Sequence, residues 1–294
     1  MADSLTSPGL IKAANDALVA ASPDVNIARL FAYDMSEEFA RDGYGTVVKV
    51  PICSTGVISA FNMEDNDYEH QDGNVTYATV TLSSQPKCTF EFKGMDKLEA
   101  PNSPYWRRCA DAAGNAIKSS FSQDFGKLFT ADSCTGGSVT LSGEITKAKI
   151  AQLRKSCKGR VADTVLALNS DLYADVLGLC DNGIYGSASA IQDGKLAYSI
   201  FGFKAVVELR DADESIRGAL IPADSVAFAS RAVPVGDEGA YSEYGVVTDP
   251  ETGLSLTVLR HGSAAKGKGF INVTELHGMN LVQPDKVVAI VDGE

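Results

Sequence analysis

Apolar and polar positions change period several times along this chain, and each change marks a new element. Residues 8–41 repeat at threes and fours, which predicts helix, with a break at Ser22-Pro23-Asp24 because proline cannot occupy a helix interior. The piece before the break, Leu10 to Ala21, is rich in Ala and Leu. The piece after it puts Ile27, Leu30, Phe31 and Met35 on one face. The period then falls to two. Thr46-Val-Val-Lys-Val-Pro51 reads as a strand, and alternation returns from Tyr77 to Leu82 and from Cys88 to Phe92, around Ser83-Ser-Gln-Pro86. Such runs predict long strands with one face covered. The polar, acidic stretch from Asn62 to Asn74 cannot build a core of its own, so an extended two-stranded arm suits it. Period 3.6 follows. Trp106, Cys109, Ala110, Ala113, Ile117, Phe121, Phe125 and Leu128 form one stripe, behind Ser103 as N-cap and Pro104 at the first helical position. That helix, 103–128, is more than about 30 Å long.

The second half is mixed. Glycines and small polar residues fill 130–143. A helix is expected from Thr146 to Lys158, a buried strand from Thr164 to Leu168, and a short helix capped by Ser170-Asp171 and ending near Leu179. Asp181 to Lys195 reads as a loop. Short strands are expected at Phe203–Leu209, Gly218–Ile221 and Ser225–Phe228, then a loop at 234–243. The tail returns to β structure: Leu254–Arg260, a glycine-rich turn, Phe270–Leu276, and Val287–Val291. The order as a whole predicts an α+β fold.

With 45% hydrophobic and 22% charged residues in 294, the chain can bury a real core, so disordered and collagen-like classes drop out. No stretch reaches the roughly 18 apolar residues of a membrane helix, and Met1-Ala-Asp-Ser-Leu-Thr-Ser-Pro8 has no signal-peptide pattern. No membrane role is expected. The net charge of −12 disfavours nucleic acid except at local basic clusters. One such cluster lies between Ile145 and Ala162: Lys147, Lys149, Arg154, Lys155, Lys158 and Arg160, with no acid among them. It reads as a solvated helix face or a subunit contact. The six cysteines, at 53, 88, 109, 134, 157 and 180, are too widely spaced for a zinc or redox motif, so structural or incidental thiols are expected.

Catalytic patterns fail on named residues. Gly262-Ser-Ala-Ala-Lys-Gly267-Lys268-Gly269 nearly matches a phosphate loop, but Gly269 lacks the hydroxyl and the following residues read as a strand, so a hairpin loop is expected. The run Glu64, Asp65, Asp67, Glu69, Asp72 alternates like a calcium loop from Asp65. However, His70 stands at the required glycine and Thr76 at the required glutamate. His70, His261 and His277 are scattered and fit no catalytic motif. We therefore expect no catalytic residue, no metal site and no cofactor.

The order of elements resembles the major capsid protein of tailed bacteriophages, whose fold is named for phage Hong Kong 97. Thr79-Val-Thr-Leu through Cys88-Thr-Phe-Glu-Phe92 is similar to the end of the family's extended loop, and Asn102 to Phe129 to its spine helix. Val165-Leu-Ala-Leu-Asn-Ser-Asp-Leu-Tyr-Ala-Asp175 looks like the strand-then-helix of the axial domain. Gly253–Leu259 through Asn280–Ile290 looks like the closing strands. The resemblance covers about residues 25–291. It implies an N-terminal arm at 1–44, an extended β-loop at 45–94, a peripheral domain from 95–150 and 250–294, and an axial domain at 151–249.

The function so implied is a coat protein that assembles with itself into pentamers and hexamers. These would form an icosahedral head made in the bacterial host cytoplasm and carried in the virion. Packaged double-stranded DNA would be contacted weakly and without sequence preference, and an acidic lining would let it slide. Only about 45 residues precede the first strand, so either the scaffolding protein, like the portal, would be a separate partner, or no scaffolding is needed. Decoration proteins are a further possible class of partner, and no crosslinking Lys–Asn pair can be placed. An encapsulin-type compartment shares the fold and is the main alternative. Another virion part, such as a tail-tube or decoration protein, does not account for the long helix. A soluble α+β enzyme would need a pocket of convergent polar groups.

Overall fold

The protein is described by a computed structural model covering residues 15–17, 32–34, 45–53, 75–92, 104–181, 191–192, 195–196, 200–209, 216–233, 243–248, 254–263 and 268–293. In chain order the strands before the long helix are β1 (Ala32–Asp34), β2 (Val47–Cys53), β3 (Val75–Thr81) and β4 (Lys87–Phe92). Helix α1 (Pro104–Gly126), β5 (Ser138–Leu141), α2 (Lys147–Ser156), β6 (Thr164–Asn169) and α3 (Ser170–Asp181) follow. The remaining strands are β7 (Ile191–Gln192), β8 (Lys195–Leu196), β9 (Ala205–Leu209), β10 (Ile216–Pro222) and β11 (Val226–Arg231), then β12 (Glu243–Thr248), β13 (Ser255–Ser263), β14 (Lys268–Leu281) and β15 (Val288–Asp292).

Two large sheets organise these elements. The longer runs β1-β11-β14-β13-β12, with β4 also on β14. The 14 residues of β14 exchange partners midway. Its first half pairs β13, from Ser263↔Lys268 to Leu256↔Glu275, and pairs β4, from Gly269↔Phe92 to Thr274↔Lys87. Its second half pairs β11, from Arg231↔Leu276 to Val226↔Leu281. Helix α1 lies on this sheet. Ala110, Ala113, Ile117 and Phe121, one residue per turn, pack against Phe228, Leu256, Val258, Ile271 and Val273. With 23 residues the helix spans about 34 Å.

The second sheet, β5-β15-β10-β6-β9, is covered on both faces. Leu166, Leu168, Leu220 and Ile290 point into a core shared with α2 and α3 through Ile150, Leu153, Leu172 and Val176. Val165, Ala167, Ala219 and Ala289 point the other way, toward Phe125, Phe129 and Leu281. Hence Val165-Leu-Ala-Leu168 is apolar throughout, as a strand buried on both sides must be. Helix α2 starts at Thr146, whose hydroxyl accepts a hydrogen bond from the Lys149 amide at 3.4 Å. Thr146→Ala should cost about 1 kcal/mol, read as a small fall in the thermal midpoint.

Three sequence expectations are corrected. Ala32–Asp34 is not helical: it is a strand, parallel to β11 with Ala32↔Val226 and Asp34↔Phe228. The edge of β11 offers these residues backbone partners, and tertiary pairing overrides helical spacing. Residues 15–17 are helical, and the rest of the predicted helical region lies outside the described residues. The cap of α3 is Asn169, whose side-chain oxygen accepts the Leu172 amide at 3.1 Å, so Ser170 is already helical. The loop expected to close at residue 243 instead gives way there to β12, the outer strand of the long sheet. β5 and β15 pair in the same sheet as β6, β9 and β10, whereas β11 and β12 belong to the longer sheet, so the chain leaves and re-enters each sheet.

Candidate functional site: the two-stranded arm and its root

Among the described residues β2 and β3 pair only with each other, in register from Val47↔Thr81 to Cys53↔Val75. Residues opposite one another share a face. Val48, Val50, Ala78 and Val80 face inward and pack with Leu82, Ala227, Ala229 and Val282. Val47, Lys49, Pro51, Val75, Tyr77, Thr79 and Thr81 face outward, and all are exposed. Pro51 fits because β2 has a partner on one side only. Among the described residues the exposed large hydrophobic side chains are Val47, Val75, Tyr77 and Val246. Three of these four lie on the outward face of the arm, and Tyr77 is 63% exposed. A two-stranded ribbon is marginal by itself, and a ribbon with a second apolar face is built to be covered.

The root of the arm is held by β14. Gly278 passes against the end of β3 so closely that a Cβ there would sit 2.1 Å from the Thr81 carbonyl oxygen. The Asn280 side chain donates to the Thr79 carbonyl at 2.7 Å. Beyond β3, the Ser84 and His277 backbones exchange hydrogen bonds of 3.1 and 3.0 Å.

Charged side chains are buried beside this bridge. His277, 1% exposed, lies 3.3 Å from Asp124 Oδ2 through Nε2 and 3.4 Å from Glu275 Oε2 through Nδ1. Neither contact has hydrogen-bond alignment, so both act as ion pairs. The Ser84 hydroxyl donates to Asp124 at 2.6 Å, Lys127 donates to its other oxygen at 3.3 Å, and the Ser230 hydroxyl lies 3.4 Å from Glu275 Oε1. The Phe121 ring packs on the imidazole with centroids 5.3 Å apart. Burial alone would push the imidazole down. The contacts with Asp124 and then Glu275 more than reverse this, and hold it at about 9. Asp124 is held well below the usual carboxylate range, chiefly by His277 and against the effect of its own burial, with Ser84 and Lys127 adding to the shift.

Linkage fixes the sign. A histidine raised on folding contributes stability fully below its unfolded pKa and loses it as pH rises through the folded value. A lowered aspartate contributes above its unfolded value and loses that contribution in acid. Denaturant unfolding should therefore show greatest stability between roughly pH 4 and 6.5, with a loss on the order of 3 kcal/mol as pH rises past 9. A flat profile from pH 6.5 to 9.5 would contradict the ion pairs.

The motifs weighed in the sequence fall elsewhere. Gly262 and Gly269 are paired across the β13–β14 hairpin and open no helix. The acidic run 64–72 and His70 lie outside the described residues. His261 is on β13, stacked on Phe270 at 5.1 Å. Among the described residues no group of three or more His, Cys, Asp or Glu is arranged to hold a metal ion, and no helix is long and apolar enough to cross a membrane. Cys88, Cys109, Cys134, Cys157 and Cys180 form no disulfide, and burial pushes Cys88, Cys134, Cys157 and Cys180 up, away from the reactive thiolate. In the basic cluster, Lys149 binds the Ser142 and Glu144 carbonyls and Arg160 lies 3.9 Å from Asp163, while Arg154, Lys155 and Lys158 are exposed. Sequence reasoning treats His277 only as one of three scattered histidines and does not single out Asp124 or Glu275, because their contact joins a helix to a strand far along the chain.

No protein-family model matches the chain, and no curated protein matches its sequence. Solved structures do match its fold. The capsid of cyanophage P-SCSP1u superposes with a TM-score of 0.57 at 11% identity, over 90% of this chain and 87% of that one. The capsid of an empty GTA particle gives 0.52 at 12% identity, over 94% and 90%. A virus-like particle from Pyrococcus furiosus gives 0.51 at 14% identity, over 95% and 98%. The chain thus has the α+β capsid fold of tailed phages, the Hong Kong 97-like fold, along nearly its whole length.

Proposed function

We propose that this chain is the major capsid protein of a tailed phage. Copies join as pentamers and hexamers into an icosahedral head around double-stranded DNA, with a structural and not a catalytic role. The observation that carries the reading is the arm. A two-stranded ribbon with Val47, Val75 and Tyr77 exposed on its outer face is built onto a fold shared, over about nine-tenths of the chain, with phage and GTA capsids. Laid on the next copy, that face makes a heterologous contact, the kind that closes rings and then shells. Scaffolding and portal proteins are separate partners in this reading, assembly takes place in the host cytoplasm, and the DNA is held weakly by an acidic lining.

The test is to shorten the arm. Cys53 and Val75 are directly opposed, so residues 54–74 can be replaced by an Asn-Gly turn without disturbing the paired strands. The variant should remain folded with the parent's unfolding midpoint and form no shells by electron microscopy. Shells of parental size would remove the arm from the account.

The likeness to the virus-like particle favours a second reading, an encapsulin-type compartment. The contents of native particles decide between them: packaged DNA for a head, a co-purifying enzyme on the inner wall for a compartment.

A further inference from the structure

We infer that Asp124, Glu275 and His277 form an ion-pair latch that fixes the direction of the β2–β3 arm against helix α1 and strand β14. The inference deepens the proposed function and rests on the arm being an assembly element.

The partners come from two pieces of the arm's mounting, and Ser84 ties the arm to them. Asp124 is in the last turn of α1, the helix under the long sheet. His277 and Glu275 are on β14, two residues apart and so on one face. Ser84, in the segment leaving β3, donates its hydroxyl to Asp124 while its backbone pairs with His277. The arm is therefore joined to helix and sheet at one buried point, next to the Gly278–Thr81 crossing. Among the described residues, the charged groups facing His277 are Asp124 from α1 and Glu275 from β14, with Lys127 beyond Asp124. The segment after β3 contributes the Ser84 hydroxyl, and β11 the Ser230 hydroxyl against Glu275.

A core without a positioning task would favour apolar side chains here, because a buried charged group is a poor source of stability compared with good packing. Three charges give something packing does not: one geometry, and a dependence on one proton. With His277 protonated, the imidazolium lies between two carboxylates. Without that proton, two carboxylates face a neutral ring with Glu275 fully buried, and separation becomes favourable. The side that can yield is the arm segment, whose hold on Asp124 is a single Ser84 hydroxyl. His277 is held at about 9, so release falls at mildly alkaline pH.

Hydrogen–deuterium exchange of the full chain tests this, corrected for the intrinsic rate at each pH. Protection of residues 75–86 should fall roughly 10- to 50-fold between pH 7 and 9.5, while residues 216–222 of the other sheet lose much less. Asp124→Asn should show the loosened arm already at pH 7, with little further change up to pH 9.5. Glu275→Gln, which keeps the Asp124 pair, should lie between. A pH-independent arm in the parent protein, or a parental profile in Asp124→Asn, overturns the latch. If Asp124→Asn does not fold, the parental profile decides alone. Shell formation is scored separately. A protein that shows the exchange profile but never forms shells keeps the latch and loses the capsid reading. One that forms shells with a pH-independent arm loses the latch alone.

Discussion

Tyr77→Lys is expected to leave the subunit folded and stop it from joining its neighbours. Tyr77 is the most exposed large hydrophobic side chain described, and it stands opposite Pro51 on the outer face of the arm, next to Val75 on its own strand, with Val47 further along the same face. Nothing in the subunit's own core depends on that face, since the inward positions Val48, Val50 and Val80 anchor the arm. The unfolding midpoint should therefore stay within the small range typical of surface substitutions. Assembly should respond very differently. Buried aromatic anchors typically contribute about 2 kcal/mol or more to an interface, so one lost contact per copy raises the threshold concentration for assembly roughly 30-fold. Contacts repeat around every ring, and the effect compounds. Light scattering during assembly, beside a thermal melt of the unassembled subunit, separates the two outcomes. Unchanged assembly at the parental threshold would mean the face stays in solvent.

Gly278→Val acts on the other side of the same device. A Cβ at 278 would overlap the Thr81 carbonyl oxygen and crowd the Leu82 amide, both backbone atoms with no rotamer to move to. Either β14 bends away from β11, breaking the pairing of Ala229 with Gly278, or the arm lifts off the sheet. Lifting the arm uncovers Val80 and Leu82 and strains the Ser84–His277 bridge. Overpacking of this kind costs about 3 kcal/mol, and a branched side chain on backbone is at the upper end. The thermal midpoint should fall by roughly 5 °C in a chain of this size. Shell formation should fall with it, even at temperatures where the subunit is folded. A variant with parental stability and parental shells would show that the close crossing is not needed.

Much of this architecture was legible in the sequence, and the limits are instructive. Alternation located β2, β3 and β4 to within a residue or two, because each has one wet face and one covered face. The α1 stripe was equally clear, since a long helix on a sheet needs an apolar residue at nearly every turn. β14 was read as Phe270–Leu276 but runs from Lys268 to Leu281. His277 and Gly278 interrupt the apolar pattern because one carries the latch and the other the crossing. β12 was missed because Glu243-Tyr-Gly-Val-Val-Thr248 is short, contains glycine and sits at a sheet edge, where half the usual burial signal is missing. Ala32–Asp34 reads as helix in the sequence because spacing cannot reveal a distant strand with an open edge. The charged latch was unreadable for a related reason. Glu275 and His277 continue the buried face of Ile271 and Val273, where charged side chains break the apolar pattern, and only the fold brings Asp124 onto them.

The central claim, that this chain builds closed shells, is tested most directly by electron microscopy of the purified protein, with a candidate scaffolding protein added in a parallel sample. The account predicts hollow closed particles, or rings of five and six copies as their precursors. A persistent monomer of 31.0 kDa under both conditions would contradict it.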